Sequence, residues 1–182
     1  MDFKDTLKVH SARATRRHVL AWGRTATLGA AVCGSLPNFG MAEGMVAELG
    51  SGDTGVLNYA YALEQLEAAF CTQVLTSEYA DMTDDERVIL TEIRDHEIAH
   101  RDFLKTVLAD IAIAGLDVDF SAVDFSSRDA ILGTAKVFED MGVAACNGAG
   151  KLITNPDYLA AAGSIMSVEA RHAAIVRRIG GK

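Results

Sequence analysis

Two copies of Glu-x-x-His stand in the second half of this 182-residue chain, Glu97-Ile98-Ala99-His100 and Glu169-Ala170-Arg171-His172. Each follows a lone glutamate on an earlier helical stretch, Glu64 before the first and Glu139 before the second. Residues three apart on an α-helix share a face, so each Glu-x-x-His sends one carboxylate and one imidazole into the same space. Four carboxylates in an apolar interior repel one another and lose hydration, and two divalent cations cancel their charge. The spacing therefore predicts a two-metal site. Glu97 and Glu169 bridge, His100 and His172 each serve one metal, and Glu64 and Glu139 are terminal carboxylates. Oxygen and imidazole without thiolate suits iron, with manganese next, and tolerates zinc. Two such ions with open positions can exchange two electrons with dioxygen or peroxide, or accept them from ferrous iron.

Chance is a poor rival. Residues 43–182 hold three histidines and ten glutamates. A given His then has Glu three positions earlier with a probability of about 0.07, and two of three do so in roughly 1 to 2 cases per 100. The halves also repeat. Glu64 to Glu97 is 33 residues and Glu139 to Glu169 is 30, and a cysteine, Cys71 or Cys146, follows each lone Glu by seven. Duplication of a helical hairpin accounts for both regularities.

Four helices must position these groups. The first is expected from about Asp53 to Tyr79, with Leu57, Ala60, Glu64, Ala68, Cys71 and Leu75 on one stripe. Thr83-Asp84-Asp85-Glu86 is a capping box opening the second, whose stripe of Leu90, Ile93, Glu97, His100, Leu104 and Leu108 runs on until Gly115. Ser126 or Ser127 caps the third, with Leu132, Ala135, Glu139, Gly142, Cys146 and Ile153 inward, and Asn155-Pro156 starts the fourth, with Ala162, Ile165, Glu169, His172 and Val176 inward up to Gly180. Short links make each pair an antiparallel hairpin. About a dozen residues between Gly115 and Ser127 alternate apolar and polar and, extended, can run roughly 36 to 40 Å, the length of a whole helix. The predicted fold is all-α: a four-helix bundle with one long crossover between helices two and three.

The first 42 residues differ in character, with six Lys/Arg against two acids. Thr15-Arg16-Arg17-His18-Val19-Leu20 reads as the core of a twin-arginine export signal, with Gly40-Met41-Ala42 as a small-x-small cleavage site. The competing reading is a basic amphipathic leader that stays attached. The expected division is thus a signal over 1–42, implying the twin-arginine machinery as a partner and a periplasmic or otherwise exported product, and a metal domain over 43–182. That domain carries 11 basic and 23 acidic residues, a formal charge of −12. Such acidity without clustered Lys or Arg argues against nucleic acid.

The segments Tyr61-Ala62-Leu63-Glu64-Gln65-Leu66-Glu67, His96-Glu97-Ile98-Ala99-His100, Phe138-Glu139-Asp140-Met141-Gly142-Val143 and Ser167-Val168-Glu169-Ala170-Arg171-His172 resemble the four motif helices of exported ferritin-like domain proteins, a group that includes desiccation-related proteins. The likeness covers roughly residues 50 to 180 and implies a ferritin-like di-metal bundle. One departure is Cys71 and Cys146, standing where many ferritin-like proteins have tyrosine. In the ferritin-like order the two thiols fall about 20 Å apart along the bundle, too far for a disulfide, so both are expected as free buried thiols. Glu67, one turn beyond Glu64, is the competing terminal ligand, and the repeat with Glu139 favours Glu64. His96 points about 100° away from Glu97 and is expected on the surface or behind a ligand.

Three function classes remain. The first is an exported di-iron or iron/manganese oxidoreductase, acting as a ferroxidase or on peroxide. The second is a manganese catalase, and the third a non-enzymatic, metal-stabilised envelope protein for stress or desiccation protection. A homodimer is the expected oligomer.

Overall fold

The computed structural model describes residues 13–15 and 49–181. In chain order these form β1 (Arg13–Thr15), α1 (Gly52–Thr76), α2 (Asp84–Leu108), a 3₁₀ turn (Ala109–Ile111), β2 (Asp117–Asp119), α3 (Arg128–Gly150) and α4 (Pro156–Gly180). Three-residue β1 pairs in parallel with β2. Apart from β1, the export-signal reading of residues 1–42 lies outside the described residues. No helix among the described residues is long and apolar enough to cross a membrane. The architecture is the expected all-α four-helix bundle, with its one long crossover between α2 and α3.

Local chemistry sets the helix ends. Thr83 Oγ1 accepts from the Glu86 amide at 3.2 Å while Glu86 Oε2 accepts from the Thr83 amide at 3.1 Å, the reciprocal capping box. Ser127, not Ser126, caps α3 by accepting from the Ala130 amide. Asn155 caps α4 with Pro156 in its first turn. Two expected ends move. Helix α1 stops at Thr76 rather than Tyr79, and α2 stops at Leu108, seven residues before Gly115. Ala109 adopts a φ of 48°, which breaks the α-helical ladder, and Asn58 then captures the chain on the far side of the turn.

That capture fixes the crossover. Asn58 Nδ2 donates to the carbonyls of Leu49 (3.0 Å) and Ile111 (2.9 Å), and its Oδ1 accepts from the Ile113 amide (2.9 Å). Two turns on, Gln65 Oε1 accepts from the Leu116 amide. Phe120 and Phe125 then close on Phe70, with centroids 5.6 and 5.9 Å away. The crossover thus lies along α1 from Asn58 to Phe70. It is answered at the other end by Arg128, which donates to Glu86 Oε1 and to the Ile179 carbonyl. Asp53 accepts from the Thr154 and Asn155 amides, placing the start of α1 beside the α3–α4 turn. Helices α1 and α3 are therefore antiparallel.

Covering α1 on its outer side corrects the single-stripe expectation. Every residue from Tyr61 to Ala68 is buried, because three helices pack on one side and the crossover on the other. Buried Asn58 and Gln65 hold crossover amides and carbonyls that would otherwise lack partners. Asn58→Ala removes three such bonds at once, and the expected loss of stability is about 2–4 kcal/mol, read from chemical denaturation.

The apolar core has two parts. Leu66, Phe70, Leu90, Ile93, Ile131 and Val176 belong to one, and Leu57, Tyr61, Leu104, Leu108 and Ile165 to the other. Between them lies a polar layer.

Candidate metal centre

All six expected residues meet in that layer. Glu64 comes from α1, Glu97 and His100 from α2, Glu139 from α3, and Glu169 and His172 from α4. The four carboxylate residues are 0 to 4% exposed. Around His100 Nδ1 stand Glu169 Oε1 at 3.0 Å, Glu64 Oε2 at 3.4 Å and Glu97 Oε2 at 3.7 Å. Around His172 Nδ1 stand Glu97 Oε1 at 2.8 Å, Glu139 Oε2 at 3.5 Å and Glu169 Oε2 at 3.8 Å. Glu97 and Glu169 each give one oxygen to either set. Ligand atoms about 2.1 Å from a common cation stand about 3.0 to 3.4 Å apart in octahedral or tetrahedral geometry, so both four-atom sets have roughly the spacing of ligands around one cation. Within each set the atoms lie within 4.8 Å of one another, and each could hold a metal ion.

All eight converging atoms are buried with no properly angled hydrogen bond: both Nδ1 atoms and the oxygens Glu64 Oε2, Glu97 Oε1 and Oε2, Glu139 Oε2 and Glu169 Oε1 and Oε2. Buried polar atoms are ordinarily satisfied, and so many orphans aimed at two common points fit cations rather than a structural network.

The ionisation balance tells the same story. For Glu64, burial outweighs the pull of His100 and, joined by repulsion from Glu97 and Glu169, pushes the carboxyl well above its usual range. Burial lifts Glu139 to about 8 against the pull of His172. Burial works against charge on Glu97 too, yet His100 and His172 overcome it and hold the group down at about 2. Glu169 is likewise lowered, by the same two imidazoles against burial. Burial disfavours both imidazolium ions, but the surrounding carboxylates reverse its effect. Glu169, Glu64 and Glu97 raise His100 to about 12, and Glu139, Glu169 and Glu97 raise His172 to about 11. Protons and cations thus compete for one set of atoms.

Other expectations resolve around this layer. Cys71 and Cys146 are free thiols, but only Cys71 is buried as expected and Cys146 is half-buried; burial raises both first, Cys71 then feels Glu97 and Glu139, and Cys146, at about 12, feels Glu64 and Glu169. They border different parts of the site. Asp140 forms an ion pair with Arg177 on the surface. His96 is exposed yet bonded, its Nδ1 2.9 Å from His172 Nε2. Were His172 Nδ1 to hold a cation, Nε2 would carry the proton and donate to His96, which would fix the orientation of the ring. Spacing alone placed His96 off the ligand face and did not name its partner, which lies 76 residues away. His96→Ala is expected to weaken metal binding about 10- to 100-fold in a chelator competition while leaving the metal-free melting temperature nearly unchanged.

The model of the ferritin-like domain family matches residues 52–182, the span that contains all four helices and every converging ligand. The chain belongs to the ferritin-like domain family. No curated protein and no solved structure matches it. The ferritin-like domain also contains a small apolar cavity of about 30 Å³ that reaches Glu64, walled by Leu57, Leu63, Cys146, Ile153 and Ile165.

Proposed function

We propose that this ferritin-like protein is a di-metal carboxylate protein that holds two transition-metal ions, iron in the first place and manganese as the alternative, and reacts with dioxygen or peroxide or oxidises ferrous iron. The observation that carries it is the division of labour within Glu97 and Glu169, each of which places one oxygen in either atom set. Glu64, Glu97, His100 and Glu169 would hold one ion; Glu97, Glu139, Glu169 and His172 would hold the other. When bound, such a pair supplies or accepts two electrons.

The chain's own groups do the remaining work. The cavity beside Glu64 is apolar and has room for a molecule of about the size of water, dioxygen or peroxide, which favours a small reactant over an organic substrate. Two apolar core regions above and below the polar layer keep bulk water away, which strengthens the electrostatic hold of the carboxylates. His96 orients the His172 ring from outside.

We further read residues 1–42 as a twin-arginine signal and the product as exported, in keeping with the exported and desiccation-related ferritin-like group. Export in the folded state suits a metal acquired beforehand.

Metal analysis of protein from its native compartment is expected to give about two transition-metal ions per chain, with spectral change on exposure to oxygen or peroxide. Stoichiometric zinc and no reaction with either oxidant would contradict the oxidoreductase reading. Rapid oxygen release from peroxide with manganese bound would select a catalase. Full complementation by a folded, metal-free variant would select the protective, non-enzymatic role.

A further inference from the structure

One buried acid near the centre has no role in the six-residue set. Glu67 is 2% exposed, and neither of its carboxylate oxygens has a hydrogen-bond partner. A carboxylate taken out of water without a partner is costly, so a purely structural side chain at this position would be expected to be apolar. The internal repeat makes the point sharper. Glu64 corresponds to Glu139 and Cys71 to Cys146, so the counterpart of Glu67 is Gly142. A Cβ at Gly142 would stand 3.5 Å from Glu67 Oε1 and 3.4 Å from Glu169 Oε2. One half of the repeat supplies a carboxylate, and the other a glycine that this carboxylate and Glu169 both approach to ordinary contact distance. Glu169 Oε2 belongs to the set around His172. Glu67 therefore reaches past Glu64, its neighbour on α1, toward the opposite half of the centre.

We propose that Glu67 is a seventh protein ligand, serving the cation held by Glu139 and His172 and not the one held by Glu64 and His100. The proposal rests on the di-metal reading above. It makes the two halves unequal: five protein ligands on the His172 side and four on the His100 side. It also sets the charge. Five carboxylates exceed by one the charge of two divalent ions and match a divalent ion beside a trivalent one, so Glu67 favours a trivalent ion on the His172 side.

The test is a calorimetric titration of the metal-free full chain, first with zinc and then, on chain carrying one zinc, with gallium(III) supplied as a weak chelate. Neither ion changes oxidation state. Wild type is expected to take two zinc ions in two resolvable steps. In Glu67→Gln one step should weaken by about 10-fold or more while the other moves less than about 2-fold, and gallium binding should fall by at least about 100-fold. Glu67→Asp, which keeps the charge but shortens the reach by one methylene, should weaken the same step. This second variant carries the test if Glu67→Gln fails to fold. Two unchanged zinc steps together with unchanged gallium binding, or equal weakening of both zinc steps, would overturn the role of Glu67. Failure of wild type to take two zinc ions would instead overturn the di-metal reading itself.

Discussion

Loading the metal-free protein with two divalent ions near pH 7 is expected to release at least about three protons per chain, so the overall binding constant should climb by a factor of at least about 10³ per pH unit between about pH 6 and 7.5. The groups responsible are His100 and His172, raised to about 12 and 11, Glu139, raised to about 8, and Glu64, raised well above its usual range. His100, His172 and Glu139 hold protons at neutral pH without a cation and must give them up to ligate one, and the raised carboxyls of Glu64 and Glu67 add to that count. Glu97 and Glu169, held low, contribute none. Calorimetry in buffers of differing ionisation enthalpy counts the protons directly. A release of one proton or fewer would mean that the converging groups are not the ligands.

The second large effect is on stability. Groups whose proton affinity is raised by folding contribute stability that is complete below their unfolded pKa and is lost as pH rises through the folded value. For Glu139 the window runs from 4.5 to about 8, and for His100 and His172 it runs from 6.5 up to about 12 and 11. Glu97 acts in the opposite sense, stabilising above 4.5 and failing only as pH falls toward about 2. Metal-free protein should therefore be most stable near pH 5 and melt progressively lower up to pH 9. One net proton is worth about 1.4 kcal/mol per pH unit, or roughly 3–6 °C for a domain of this size. Saturating metal should remove the slope and raise the melting temperature at pH 8 by about 10 °C or more. Glu139→Gln is expected to raise the metal-free melting temperature at pH 9, whereas Glu97→Gln should lower it, because the latter strips two imidazolium ions of their shared partner. Scanning calorimetry of the three proteins across this pH range checks both signs.

Much of this was legible in the sequence, for identifiable reasons. Glu-x-x-His is read by helix geometry alone, and the repeat supplies Glu64 and Glu139 without any coordinates. Capping signals at Thr83, Ser127 and Asn155 are local chemistry, so three helix starts follow from a few residues each. The length of the segment after α2 required a crossover. What was not legible depends on contacts distant in the chain. Nothing around Asn58 or Gln65 announces that they bind a strand of chain some 50 residues later, so the full burial of α1 looked like a single stripe. The break at Ala109 lies inside a good helical pattern, and tertiary capture by Asn58 overrode propensity there. His96 gained its partner only when α2 and α4 met. Glu67 was visible as a rival to Glu64, but its opposite, Gly142, read as one more small residue on an inward face.

The central claim is that Glu97 and Glu169 are shared between two cations, and anomalous diffraction at the metal edge from crystals of the iron- or manganese-loaded protein tests it most directly. The account predicts two peaks per chain, one beside His100 and Glu64 and one beside His172 and Glu139, with one oxygen of Glu97 and one of Glu169 on each. A single peak, or two peaks that do not both touch these carboxylates, would contradict it.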